Sequence, residues 1–535
     1  MEAASKEFEV MRLFSGEKSP GFNVLTATAV ELSRLLQEKK VTSVELVETF
    51  LSQIEGHNEN GLALHAITNT VPKDTIMAIA AKLDKERSEN AVRSPLHGIP
   101  FIAKDSMWTD PSFAIPTTGG TYALERAVAR KNADIVQKLL DAGMILLGKA
   151  NLSEMAGMRG SGGFAGWSTI GGQTQSPYVE GGVDPSDTWL GFSTPGGSSS
   201  GSAVAVAAGM APVSLGTETD GSILVPSDRA SLYSLKLTVG KFSTTGTLPY
   251  THVTDSLGPM AKSPEDLAAI LDLLTPLEDK TNQQFLTKSF KGMRIGFLDP
   301  ITWASGAGAV RPNEDYTKQT SLDIAAAIDK IEAAGAVVKR NIALRRFSPD
   351  DDRMFNSVAS RDYVKEFETF VAGLDNTPIR SPDQSILEGA LKANVSDEEY
   401  QEYVQALQHH SRALGIDKAL EENDVDVIMG TPTGRIATIA ALAGYPVGTV
   451  PLGYANFNGR AFGLSIVAPA NAESLILQVM SAWEATFPAR KPPNKLHNSE
   501  PAAKHHQGSP RGQSPDAAEE VGGSEAAHAA GQLKL

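Results

Sequence analysis

The residues best suited to chemistry lie in one stretch, GGSSSGSAVAVAAGMAPVSLGTETDGSILVP, from Gly196 to Pro226. Two serine-bearing, glycine-rich turns flank a small-residue segment. Ser198 sits in the first turn and Ser222 in the second, 24 positions apart. Glycine lets backbone N–H groups come close to a substrate, and a serine in such a loop can attack a carbonyl once a base takes its proton. The base on offer is a lysine, not a histidine: Lys104, in the apolar segment HGIPFIAKDS. A lysine must be neutral to act as a base, and an exposed one, with a pKa of ~10.4, is charged at neutral pH. Burial disfavours the ammonium and lowers that value by as much as ~3–5 pH units. The neighbours Ile99, Phe101, Ile102 and Ala103 predict such burial. Asp105 opposes it if its carboxylate faces the amine.

Other readings of the same residues are weaker. Serines in GGSSSGSA are by default turn or helix-cap residues, and Ser199 and Ser200 are expected to be structural. Gly197–Gly201 matches G-x-S-x-G centred on Ser199, but a nucleophile elbow needs a buried strand before it, and SDTWLGFSTPGG is not one. His252, His409 and His410 carry no supporting motif and read as surface or packing residues. Gly143–Lys149 has P-loop spacing, but Ala150 stands where a magnesium-binding Ser or Thr is needed, and the interior MILL is apolar. The acidic run Pro349–Asp352 reads as a helix start favoured by the dipole, not as a metal site.

The elements that must position these residues follow from periodicity. Helical patterns cover Ala27–Lys39, Ser43–Gly56 and Pro72–Arg87, and Thr42 with Glu45 has capping-box spacing. Helix and short apolar strand then alternate: Asp134–Ala142 and Met144–Leu147, Gly201–Gly209 and Val213–Gly216. Met293–Leu298 and Ala336–Lys339 read as strands on either side of the helix Tyr316–Ala334. Ser348–Glu422 is mostly helical. Val425–Met429 and Ala461–Val467 read as strands and Ala472–Thr486 as a last helix. This alternation implies a layered α/β fold. The motifs interlock, so one large domain is expected over residues 25–487, after an irregular leader, 1–24. From Pro488 to 535 the chain is rich in Pro, Gly, Ser, Ala and charge, which predicts a disordered tail.

Bulk properties narrow the function. The formal net charge of −15 argues against a nucleic-acid partner, because phosphate binding needs clustered Lys and Arg. The absence of cysteine excludes disulfides, thiol catalysis and Cys-ligated zinc. The start has no apolar core of signal-peptide type, and no run approaches the ~20 apolar residues of a membrane helix. A soluble, cytoplasmic protein is expected.

Five landmarks together resemble the amidase signature family of Ser–cisSer–Lys hydrolases: GIPFIAKD (Gly98–Asp105), LLGKANLSE (Leu146–Glu154), PGGSSSGSA (Pro195–Ala203), GTETDGSILVP (Gly216–Pro226) and DSLGPMAKS (Asp255–Ser263). They stand in family order, and the resemblance spans roughly Leu25 to Phe487. Arg159–Tyr178 and GTETDGSI look most like the peptide-amidase and fungal branches. The resemblance implies an α/β/α sandwich around a central mixed, mostly parallel sheet. It implies Ser222 as nucleophile, Ser198 as proton relay, Lys104 as base and a cis peptide at Gly197–Ser198. It also implies an oxyanion hole from the backbone N–H groups of Thr219, Asp220, Gly221 and Ser222. No metal or organic cofactor is implied. The substrate would be a small-molecule or peptide-terminal amide, and a homodimer remains open.

The chain departs from the commoner family pattern GTDTGGSIRxP at Glu218, Asp220 and Leu224. The Asp220 carboxylate must point away from an oxyanion site. In SDRASLYSLKLTVG (Ser227–Gly240), Ser234 and Leu237 replace a usual Gly and Pro, and the loop Val179–Ser193 is long. Two alternatives share the resemblance: a glutaminase subunit of a tRNA-dependent amidotransferase, and a degenerate amidase fold kept as a binding protein.

Overall fold

Local capping sets where the first helices begin. Thr42 Oγ1 accepts from Glu45 N at 3.1 Å while Glu45 Oε2 accepts from Thr42 N at 2.8 Å, the box that the spacing predicts. Thr28 and Glu31 form a second box one helix earlier. These contacts come from a computed structural model, which describes residues 21–158, 164–304, 309–375, 385–392 and 395–497.

In chain order the principal elements are α1 (Ala29–Gln37), α2 (Ser43–His57), β1 (Ile67–Thr70), α3 (Lys73–Ser88), β2 (Pro100–Lys104), α4 (Asp134–Asp141) and β3 (Ile145–Ala150). Then come α5 (Ser200–Ala207), β4 (Val213–Glu218), α6 (Leu224–Arg229), β5 (Tyr233–Lys236), β6 (Ser256–Ala261) and α7 (Pro264–Leu274). The second half holds β7 (Arg294–Phe297), α8 (Glu314–Ala333), β8 (Val337–Lys339), α9 (Pro349–Ala372), α10 (Ser385–Lys392), α11 (Asp397–Ser411) and α12 (Asp417–Asn423). It closes with β9 (Val427–Gly430), α13 (Ile436–Ala443), β10 (Val447–Tyr454), β11 (Ala461–Val467) and α14 (Glu473–Thr486).

The strands form one eleven-stranded sheet in the order β1-β3-β2-β4-β6-β5-β10-β11-β9-β7-β8. Every residue of β2, β3, β6 and β11 is buried. Successive strand residues face opposite sides of a sheet, so both faces here must be covered. Helices supply the cover: α5, buried along its whole length, packs on β2, β3, β4 and β6, and α7 packs with α14 over the middle of the sheet. The α/β class and the mixed sheet are as expected, but the parallel majority is not. β2 runs parallel to β3 and β4, and β7 to β8 and β9; the other neighbouring pairs are antiparallel. Six of the ten neighbouring pairs are antiparallel, and one of them, β10 with β11, is forced by the short turn that joins the two strands.

The leader's residues 1–20, the stretch 159–163 inside the Arg159–Tyr178 landmark, and 498–535 of the expected tail lie outside the described residues. The described chain runs past Phe487. Arg490 donates to Leu25 O at 3.0 Å, Ser231 O at 2.9 Å and the Tyr178 hydroxyl at 3.0 Å.

Candidate active site

β2 and β4 are parallel neighbours, so their C-terminal ends share one edge of the sheet, where open α/β sheets hold their ligands. Lys104 is the last residue of β2. β4 ends at Glu218 and runs straight into the turn Thr219–Ser222. α5 starts beside them because Gly201 lets the chain approach β3: a Cβ there would lie 2.2 Å from Ala66 O and 2.5 Å from Asn151 N. This brings Ser198 to the lysine. Lys104 Nζ donates to Ser198 Oγ at 2.7 Å, to Thr217 Oγ1 at 2.9 Å and to Thr217 O at 3.3 Å. The Gly197–Ser198 peptide is cis. Ser198 and Ser222 both line a small cavity, with Ala156, Thr217, Thr219, Thr244, Thr247, Leu248, Asp255 and Ser256. No hydrogen bond joins the two serine hydroxyls directly.

The turn is held from outside. Glu218 Oε2 accepts from Ile223 N at 2.6 Å and Leu224 N at 3.0 Å, and Ser222 O accepts from Ser199 N at 3.0 Å. Gly221 has φ +77°, a left-handed conformation that glycine adopts without penalty. The N–H groups of Thr219, Asp220, Gly221 and Ser222 find no acceptor among the described residues. Four free donors on one turn are suited to an oxyanion. The Asp220 carboxylate points away and accepts from Thr438 Oγ1 at 2.8 Å. The departures at Glu218 and Leu224 therefore still fit a well-formed turn, with Glu218 bonding backbone in place of an arginine.

Lys104 is fully buried. Burial pulls its pKa from the ordinary lysine value to about 7, although Glu218 and Asp255 favour the ammonium. Asp105 does not face it. That carboxylate turns to Lys149, 3.8 Å away, and accepts from Thr118 N at 3.1 Å and from the Thr118 hydroxyl. Lys149 Nζ also donates to Met107 O at 2.5 Å and Thr117 Oγ1 at 2.8 Å. Burial raises Asp105 and lowers Lys149 to about 8. Burial also lowers Lys236 to about 8, against the pull of Glu218 and Glu473.

The other candidates fall into structural positions. Ser199 Oγ donates to Thr217 O at 3.1 Å and Ser200 Oγ to Gly196 O at 2.6 Å. The P-loop-like segment ends in the buried strand β3. The acidic run opens α9, where Ser348 and Asp351 form a capping box. His410 bonds Asp351 at 2.6 Å, and the exposed His252 bonds Glu366 at 2.5 Å; neither lines the cavity.

Sequence reasoning missed seven of the ten cavity residues, two of which, Thr217 and Asp255, bond to the candidate site residues. Thr217 holds the lysine, and Asp255 accepts from Thr219 Oγ1 at 2.5 Å. Asp255 opens a recognised landmark, which was the available signal.

A family model described as Amidase matches residues 45–434. The chain is similar to a probable amidase of Arabidopsis thaliana, with 32% identity over 89% of this chain and 93% of that protein. It is similar in structure to native peptide amidase from Stenotrophomonas maltophilia, with TM-score 0.76 and 29% identity over 88% of this chain and 98% of that one. One subunit of the glutamyl-tRNA(Gln) amidotransferase of Chloroflexus aurantiacus is 33% identical over 51% of this chain and 53% of its own.

Proposed function

The chain belongs to the amidase family and is an amidohydrolase, and from that premise we propose that it cleaves a carboxamide through a Ser222 acyl-enzyme, with Lys104 as base and Ser198 as relay. The observation that carries this reading is the 2.7 Å contact of a fully buried lysine with Ser198. A neutral amine has two N–H groups and one lone pair. Thr217 O and Oγ1 can accept both N–H groups, which leaves the lone pair to take the Ser198 proton. Ser198 in turn takes the proton of Ser222 as Oγ bonds the carbonyl carbon. The absent Ser198–Ser222 bond forms when substrate fills the cavity, since such contacts tighten only in the reacting complex.

The carbonyl oxygen becomes an oxyanion at the free N–H groups of Thr219–Ser222. Each such donor is worth ~2.7–4 kcal/mol of transition-state stabilisation. The proton returns through Ser198 to the nitrogen, the C–N bond breaks, and ammonia or an amine leaves. Water then attacks the Ser222 ester by the same relay and releases the carboxylate. Every step uses protein groups and water.

A peptide-terminal or small-molecule amide is the substrate class that the likeness to peptide amidase supports. Amidotransferase subunits align with 51% to 84% of this chain, and the amidotransferase reading has no structural observation of its own in its favour. The absence of cysteine accords with a cytoplasmic setting. C-terminally amidated dipeptides test the proposal. The wild type should release ammonia and the free acid, and Ser222→Ala should not. Hydrolysis of free glutamine alone, and only with a copurifying partner protein, would favour the amidotransferase reading.

A further inference from the structure

We propose that Asp255 is a positioning residue of this site: it holds Thr219, and through Thr219 the turn that presents the oxyanion-binding N–H groups. The inference rests on the acyl-enzyme reading above. It starts from sheet register. Glu218, the last residue of β4, pairs with Ser256, the first of β6. One step beyond that pair, Thr219 and Asp255 leave the sheet side by side, and both line the cavity. Asp255 Oδ1 accepts from Thr219 Oγ1 at 2.5 Å. Asp255 Oδ2 accepts from Tyr250 N at 2.6 Å and Thr251 N at 3.1 Å. One carboxylate therefore ties three segments: the turn, the start of β6 and the loop before it.

That loop is itself fixed. Thr251 Oγ1 donates to Asp362 Oδ2 on α9 at 2.5 Å, and Tyr400 on α11 donates to the same oxygen at 3.0 Å. The acceptor that holds Thr219 is thus braced from the far side by two helices. Thr219 has no other hydroxyl partner among the described residues. The remaining contacts of the turn act on its end, through Glu218 to Ile223 and Leu224 and through Ser199 to Ser222. Its first residue relies on Asp255. Ionisable neighbours that act on Asp255 or feel its charge are Lys104, Glu366, His252 and Tyr250. Asp255 favours the Lys104 ammonium, so a carboxylate placed here lowers the fraction of the lysine present as free amine. A role in placing the turn gives a physical reason for it to sit there.

The test is the second-order rate at which a fluorophosphonate labels Ser222 in the full-length protein, followed by intact-protein mass spectrometry. The variants are Thr219→Ser, Thr219→Val, Asp255→Ala and the double Thr219→Val/Asp255→Ala. Displacing a reacting geometry by about 1 Å costs about 10²-fold. Thr219→Ser keeps the hydroxyl and should label within about 3-fold of wild type, whereas Thr219→Val and Asp255→Ala should each label about 100-fold more slowly. The double variant should be no slower than the slower single, because both break one link. Thr219→Val keeps the acceptor contacts of the loop, so it reports even if Asp255→Ala unfolds. A labelled wild type with Thr219→Val at the wild-type rate overturns this inference alone, as do losses that multiply in the double. A folded wild type with no label at Ser222 overturns the acyl-enzyme reading, and this inference with it.

Discussion

The buried base predicts a specific pH profile. In the proposed mechanism Lys104 acts only as the free amine, and burial brings its pKa to about 7. At pH 5, two units lower, about 1% of it is neutral, so kcat/KM for an amide should fall about 100-fold from its plateau, with unit slope. Above pH 8 the rate should be level. An ordinary lysine near ~10.4 would instead be only about 0.04% neutral at pH 7, and the rate would still climb at pH 9. Asp255 complicates the assignment, because burial raises its carboxyl to about 7 as well. Asp255→Asn separates the two. Removing that carboxylate removes a group that favours the ammonium, so the limb should persist and move to lower pH. The assay is ammonia release from an amidated dipeptide between pH 4.5 and 10, for wild type and Asp255→Asn. A limb that rises without a plateau to pH 10 would refute the neutral-lysine argument. A limb that disappears in Asp255→Asn would assign the titration to Asp255 and remove Lys104 as the base.

Three further outcomes follow from the same structure. Between pH ~7 and ~10.4 the unfolded chain carries a proton on Lys104 that the folded chain does not, so stability rises with pH across that window, and at pH 7 the lysine costs about 4 kcal/mol. Lys104→Met removes that cost but also its hydrogen bonds, at about 1 kcal/mol each, so urea unfolding should show it more stable than wild type at pH 7 and less stable at pH 10.5; one unchanging difference would contradict this. Asp105→Asn leaves Lys149 buried without its carboxylate and should destabilise by about 3–5 kcal/mol, read from urea midpoints, and a loss below about 1 kcal/mol would show that the pair is not coupled. Removing residues 498–535 should leave ammonia release and the unfolding midpoint unchanged. Cutting before Arg490 removes its bonds to Leu25, Ser231 and Tyr178 and should lower the midpoint.

How far the sequence reaches can be judged residue by residue. Thr42 and Glu45 announce a helix start because a capping box is local, closed within one turn. The three proposed catalytic residues are singled out by motif resemblance, since nothing local says that Lys104 meets Ser198; 94 positions separate them. Asp105 shows the limit most clearly. Its neighbour in sequence is Lys104, yet its partner is Lys149, on the next strand, because successive residues at the end of β2 face different surroundings. Asp255 pairs with Thr219 across 36 positions, by a sheet register that periodicity does not encode. α13, IATIAALA, went unread because it is buried on every side and lacks the polar face that marks a surface helix. The mostly parallel sheet implied by the family resemblance failed at β10 and β11, among other pairs, and those two strands are joined by a short turn.

The central claim is that Ser222 is a nucleophile activated through Lys104. The most direct measurement is mass-spectrometric mapping of a fluorophosphonate adduct on the folded, full-length protein, with Ser222→Ala and Lys104→Ala alongside. One adduct is expected, on Ser222, absent from Ser222→Ala and formed much more slowly in Lys104→Ala. An adduct on another serine, or labelling of Ser222 at an undiminished rate in Lys104→Ala, would contradict the claim.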